Sequence, residues 1–308
     1  MYLNNNIKGI IWKVCACFCF AIINCIVRYL SGGSPLECNN PLPITMIVFF
    51  QNIIALSIIL PIIKGNKHIS IFSKYSFLHI VRVISSVLGV ITMYISFKYL
   101  PISEVIALGF LGPLITIFSS SIILKENMNI TRIFAILFSI IGSILILRPD
   151  KIFLNYEYYN LIILLPILST LFFVIAKLLT RYLAYKKESP EKLVSYLLIF
   201  MVPVSFIIAV FDWKSPNVAN VPWLMLLGIF AMIAHYSFSK AYALSEVSFL
   251  MPFGFTKFLS SVLIGYYIFS EIPRSIDIWL GIIFIFISIV IAISKKNIYY
   301  KTKNNNKN

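Results

Sequence analysis

The stretch Tyr94–Gly112 reads YISFKYLPISEVIALGFLG, and the stretch Tyr236–Gly254 reads YSFSKAYALSEVSFLMPFG. They align without a gap at a constant offset of 142 residues. Tyr94 matches Tyr236, Lys98 matches Lys240, and Ser103-Glu104-Val105 matches Ser245-Glu246-Val247; Leu108 and Gly112 match Leu250 and Gly254. A shared tripeptide alone means little. This one falls between the third and fourth apolar segments in each half of the chain.

Those segments are of membrane-spanning length. A helix needs about 20 mostly apolar residues to cross the hydrocarbon core. Ten stretches qualify: Gly9–Leu30, Pro43–Ile63, Phe77–Phe97, Ile102–Ile122, Ile130–Leu147, Asn160–Thr180, Leu193–Phe211, Val221–Ala241, Val247–Phe269 and Ser275–Ser294. Helices are expected because lipid demands that every backbone group be satisfied within the segment, and barrel strands are short and strictly alternating. Five spans is an odd number, so the two halves enter the membrane in opposite directions. The expected fold is an all-α membrane protein with ten transmembrane helices as two inverted five-helix repeats. The repeats cover 1–155 and 156–294, with a disordered cytoplasmic tail over 295–308. Inverted repeats are the architecture of many secondary transporters, with the substrate site near the midplane at their interface.

Composition excludes the main alternatives. Of 308 residues, 60% are hydrophobic and 12% charged, against roughly 45–50% and about 25% in soluble domains. The net charge of +15 is spread in short Lys/Arg runs between apolar stretches, unlike the basic face of a nucleic-acid-binding domain. With the N-terminus in the cytoplasm, 19 of the basic residues fall on the cytoplasmic side and 6 opposite, with Lys257 inside a span. That bias predicts a multi-pass protein of the bacterial inner membrane with both termini inside. Lys outnumbers Arg 20 to 6, and Ile and Asn are abundant, which suits an A/T-rich bacterial genome. The first apolar stretch is too long for a signal-peptide core and reads as a retained span. Cys15, Cys17, Cys19 and Cys25 lie in that one stretch, where a regular helix points Cys17 away from Cys15 and Cys19; they read as small apolar packing residues.

The sequence resembles the EamA-type carriers of the drug/metabolite transporter superfamily. The likeness rests on Lys98-Tyr99-Leu100-Pro101, Gly112-Pro113-Leu114, Glu126, Gly142 and Leu147-Arg148-Pro149 in the first half. Lys240-Ala241-Tyr242, Pro252, Glu271-Ile272-Pro273 and Gly281 repeat the scheme more loosely. Where family members often carry Gly before the acidic residue, this chain has Lys125 and Ser270. Within that family the whole chain resembles the S-adenosylmethionine uptake carriers of obligate intracellular bacteria. That resemblance implies import of S-adenosylmethionine, in exchange for S-adenosylhomocysteine. An amino-acid or drug exporter of the same fold is the alternative. The expected partners are the small-molecule substrate and the lipid bilayer, with a homodimer allowed and no nucleic acid.

A site for such a molecule wants an aromatic plane, an acidic partner for its cations and a basic partner for its carboxylate. Ionisable groups at membrane depth are costly and are candidates by default. Lys257 is the deepest charge; it either contacts a substrate anion or pairs with an acidic side chain. Arg82, near the start of the third span with His79, either binds substrate or snorkels to the interface. Asn24 and Gln51 are amides within spans that either bind substrate or join helices. Tyr94, Tyr236 and His235 lie late in the third and eighth spans and either line a cavity or belong to an aromatic belt. Glu104 and Glu246 begin the fourth and ninth spans, where they are either favoured by the helix dipole or serve as a gate or cation-binding group. Gly109, Gly112, Pro113, Ser85 and Gly89 suit close helix approach and rocking. No P-loop, HExxH or GxSxG is present, and His68, His79 and His235 are scattered. No enzyme activity, cofactor or metal is expected.

Overall fold

The computed structural model describes residues 2–32, 40–65, 73–99, 109, 111–125, 130–147, 164–257, 259–260, 263–264, 279–281 and 283–291. The described residues form helices joined by turns. In chain order these are α1 (Tyr2–Leu30), α2 (Ile44–Gly65), α3 (Ser76–Tyr99), α4 (Leu111–Ile123), α5 (Ile130–Leu147), α6 (Leu164–Tyr185), α7 (Pro190–Val210) and α8 (Val221–Leu244). A single helical turn, α9 (Val247–Leu250), and a 3-10 turn over Pro252–Phe255 follow, and residues 279–281 and 283–291 are helical.

Six of these helices are long and apolar enough to cross a membrane, with spans over Asn5–Val27, Ile44–Pro61, Ser76–Met93, Leu164–Tyr185, Pro190–Val210 and Val218–Leu244. They coincide with the first three and the sixth to eighth expected segments. The fourth, fifth and tenth are represented by α4, α5 and the helical residues between 279 and 291. The ninth departs from a continuous helix over Val247–Phe269. Pro252 has no N–H to give to the preceding turn, and Gly254 N–H instead donates to Met251 O at 2.9 Å in the tighter 3-10 pattern.

The helices turn apolar stripes outward. Along α1, Ile7, Ile11, Val14 and Phe18 recur at helical spacing and are exposed, as are Ile130, Phe134, Leu137, Ile141 and Ile144 along α5. Water does not tolerate such stripes; a bilayer does. Local chemistry sets the ends. Ser189 caps α7, its Oγ accepting from Lys192 N–H at 3.3 Å, with Pro190 in the first turn and Glu191 favoured there by the helix dipole. Asn217 caps the 3-10 turn Val218–Asn220 that leads into α8.

The chain divides into two compact units, each drawing segments from both halves of the sequence: residues 1–87, 179–245 and 257–272 in one, residues 88–178, 246–256 and 273–308 in the other. In the first, α1, α2, α7 and α8 share a core of Ile23, Ile26, Leu30, Ile47, Ala55, Ile59, Val194, Leu198, Leu227, Ala231 and Ala234. Small residues let α8 close on α2: a Cβ at Gly228 would stand 2.5 Å from Ile54 Cβ. In the second, α9 packs on α4 and the 3-10 turn on α5. There α5 meets the helical residues after 279 so closely that a Cβ at Gly142 would stand 2.6 Å from Gly281 O. The Ser139 and Ser288 hydroxyls bond across that contact, and Phe138 stacks on Phe284 at 5.8 Å. Ser169 Oγ of α6 donates to Gly89 O of α3 at 2.8 Å, and a Cβ at Gly89 would stand 3.0 Å from the Phe173 ring.

Candidate functional site

The first unit holds a row of rings between α1 and α8 with an ammonium at each end. The two helices run antiparallel, so Tyr29 meets Trp223 while Trp12 meets Tyr236. Residues 235, 238 and 242 share one side of α8, at the three- and four-residue steps of a helix. Opposite them α1 presents Lys13 and, two turns on, Phe20.

Phe20 is the hub. Its ring stands edge-on to His235 at 5.7 Å and to Phe238 at 6.5 Å, the geometry that aromatic quadrupoles favour. Phe238 in turn meets Tyr242 edge-on at 4.4 Å. Lys13 caps one end: its Nζ donates to Tyr242 Oη at 3.1 Å and lies 4.5 Å from the Phe238 centroid and 4.8 Å from that of Tyr242. Lys257 caps the other, its Nζ 5.9 Å from the Phe20 centroid. Both lie in the range where a cation is attracted to a ring face. Lys13 is 5% exposed and Tyr242 fully buried. Tyr242 is also fixed through its backbone, since Arg181 Nη1 donates to its carbonyl at 2.6 Å. Ser237 Oγ donates to Cys15 Sγ at 3.7 Å beside the row. Rings in a row with cations at its ends offer a flat molecule stacking surfaces and offer its acceptor atoms hydrogen bonds from the ammonium groups.

Of the residues expected at a site, the structure brings His235 and Lys257 together through Phe20. Arg82 lies on α3 and bonds to α6 and α7. It is buried rather than snorkelling: Nη2 donates to Leu193 O at 2.6 Å and Nη1 to Thr180 Oγ1 at 3.5 Å. Tyr236 lies on another side of α8 and donates to Glu191 Oε1 at 3.0 Å, with Lys240 Nζ 5.9 Å from its ring. Asn24 is on the exposed side of α1 and Gln51 is half-buried on α2, so neither joins the row. Tyr94 is part of α3, but its side chain lies outside the described residues, as does all of Glu104. Glu246 stands at the N-cap of α9, as its place at the start of a span suggests.

Lys13, Phe20, Phe238 and Tyr242 went unread as site residues in the sequence. Lys13 counts there as a loop charge that orients the chain. The available signal was its position four residues inside the apolar run from Gly9, where an ionisable group is expensive.

The sequence pattern of the EamA-like transporter family matches residues 7–148 and 160–294. A riboflavin transporter of Vibrio cholerae serotype O1 is 31% identical over 291 residues, 93% of each chain. An S-adenosylmethionine uptake transporter of Rickettsia prowazekii is 22% identical over 96% of this chain and 95% of its own length. A solved crystal structure superposes with a TM-score of 0.77 at 14% identity, covering 94% of this chain and 98% of that one; it speaks to the fold alone.

Proposed function

The chain belongs to the EamA-like transporter family, and on that premise we propose that it carries a flat nitrogen heterocycle across the bilayer, with riboflavin the favoured cargo. The observation that carries this reading is the row Phe20, His235, Phe238 and Tyr242 with Lys13 and Lys257 at its ends. An isoalloxazine ring is planar and large, and its carbonyl oxygens and ring nitrogens accept hydrogen bonds. Ammonium groups supply such bonds, and aromatic faces supply the stacking surface. Likeness to the Vibrio cholerae riboflavin transporter along nearly the whole chain supports the same cargo.

The second reading is import of S-adenosylmethionine with S-adenosylhomocysteine as the exchanged product, supported by the Rickettsia likeness. Its adenine suits the same rings. Its sulfonium and ammonium do not suit a row capped by two lysines, because like charges repel in a low-dielectric interior. Riboflavin carries no such charge, and for that reason it stands first.

In the transport cycle proposed here, ten spans form two inverted repeats in the bacterial inner membrane, both termini are cytoplasmic, and the pathway opens to each side in turn. Uptake of labelled riboflavin by cells expressing the full chain tests the cargo. Uptake above the empty-vector control, competed by unlabelled riboflavin and not by S-adenosylmethionine, is expected. The reverse competition, with the protein present in the membrane, replaces the first reading with the second. Competition by amino acids alone removes both in favour of an exporter of that class.

A further inference from the structure

One turn of α3 carries buried polar groups that the ring row does not use. Arg82 is 3% exposed and His79 fully buried. The Arg82 guanidinium spends Nη1 and Nη2 on Thr180 Oγ1 and Leu193 O, while its Nε has no hydrogen-bond partner. His79 stacks on Tyr196 at 4.1 Å with an interplanar angle of 20°, and neither of its ring nitrogens has a partner. Two carboxylates at the junction of α6 and α7 have bonds of their own: Glu188 pairs with Lys192 at 3.0 Å and accepts from Ser73, and Glu191 accepts from Tyr236. Among the described residues no carboxylate pairs with Arg82.

Buried polar groups in folded proteins are nearly always bonded, and a buried cation without a counter-ion is expensive. Three unsatisfied nitrogens on one helical turn, one of them on a guanidinium, mark a place that something else completes. Guanidinium groups match oxyanions in shape as well as charge. The Leu193 carbonyl that holds Arg82 belongs to α7, which packs on α8, the helix that sets His235 against Phe20 at the ring row.

We propose that Arg82 and His79 form an oxyanion subsite, which receives a carboxylate or phosphate borne by the transported molecule while the ring row receives its flat part. The proposal rests on the reading that the cargo is a flavin and adds that an acidic substituent on that ring strengthens binding. Flavin mononucleotide fits both parts; riboflavin, the cargo read above, fits the rings and offers hydroxyls to the subsite, and S-adenosylmethionine, the second reading, offers its carboxylate there.

The test separates the two parts. The full chain, purified in neutral detergent free of lipid, is melted in potassium phosphate, acetate or chloride at equal ionic strength. Phosphate or acetate is expected to raise Tm by a few degrees over chloride in the wild type. The gain is expected to vanish in Arg82→Gln and to shrink in Arg82→Lys, which keeps the charge and loses the fork. General salting effects act on all variants alike, so the difference between variants is the readout. A gain in phosphate but not acetate assigns a phosphate monoester, and the converse a carboxylate. Equal melting in all three salts, or an unchanged gain in Arg82→Gln, overturns the subsite. Should Arg82→Gln not fold, wild-type binding decides: flavin mononucleotide or a carboxylate-bearing flavin is expected to compete at least about tenfold better than riboflavin, and competition by both no better than riboflavin overturns the proposal. Lumiflavin, the ring alone, reports on the row separately. If no flavin binds while the phosphate gain persists, the cargo reading fails and the subsite stands.

Discussion

Lys13 Nζ donates a hydrogen bond to Tyr242 Oη at 3.1 Å across 229 residues of sequence. The bond ties the start of α1 to the end of α8 inside one unit and holds an ammonium over the Phe238 ring. Lysine is an expensive residue to bury, so its presence there calls for a role in what the protein binds.

Lys13→Met keeps the length and apolar stem and removes the charge. The substitution takes the hydrogen bond from the buried Tyr242 hydroxyl, a loss of about 1–3 kcal/mol in stability. Losing a charge-assisted hydrogen bond to substrate costs about 1.5–3 kcal/mol. We expect a lowered Tm with the protein still folded in the membrane and a riboflavin KM raised about 10- to 100-fold. Normal uptake kinetics in Lys13→Met would sink the assignment of this end of the row.

Phe20 touches His235, Phe238 and the Lys257 ammonium at once. Phe20→Leu keeps the bulk and loses the ring, with about 0.5–1.5 kcal/mol per aromatic pair. KM is expected to rise more than maximal uptake falls, and Phe20→Trp is expected to restore most of the affinity. Paired uptake and binding measurements on both variants check this. Equal affinity in Phe20→Leu and Phe20→Trp counts against a stacking role.

At Gly228 the crowding atoms belong to the Ile54 side chain. Gly228→Ala overpacks the α2–α8 contact by about 1–3 kcal/mol. Ile54→Ala removes the Cγ2 neighbour but keeps the Cβ at 2.5 Å, so the double variant should lose less stability than the two single losses added together. Thermal melting of the three variants in detergent measures the coupling, and strict additivity contradicts the packing described here.

At Gly142 the obstacle is the Gly281 carbonyl, part of the backbone. A backbone oxygen cannot be trimmed or rotated away. Gly142→Ala is therefore expected to lower Tm more than Gly228→Ala, and Ile285→Ala, which removes only the second neighbour, should not restore it. Rescue by Ile285→Ala would show that the side chain, not the carbonyl, sets the limit.

The helical, membrane-facing character of the chain was legible because apolar runs of span length leave few alternatives; α1, α2, α3 and α6 to α8 lie where those runs predict. The break at Pro252 was foreseeable from the residue and passed over because hydropathy continues through it. Two of the six residues of the row and its ends were visible: His235 and Lys257 stood out as polar groups in apolar runs. Phe20 and Phe238 look like any other aromatic in such a run, since a lipid-facing and a cavity-facing phenylalanine have the same local sequence.

Covalent order and hydropathy were enough to decide helix content, membrane residence and membership of a transporter family, because each depends on residue types close together along the chain. Which of those helices pair, and which side chains meet, came from packing between distant segments. Lys13 and Tyr242 share no local pattern, and Arg82 and the Leu193 carbonyl it bonds lie 111 residues apart on different helices. Their juxtaposition exists only once α1, α3, α7 and α8 have closed on one another, because a charge in an apolar segment acquires its partners from whichever helix packs against it.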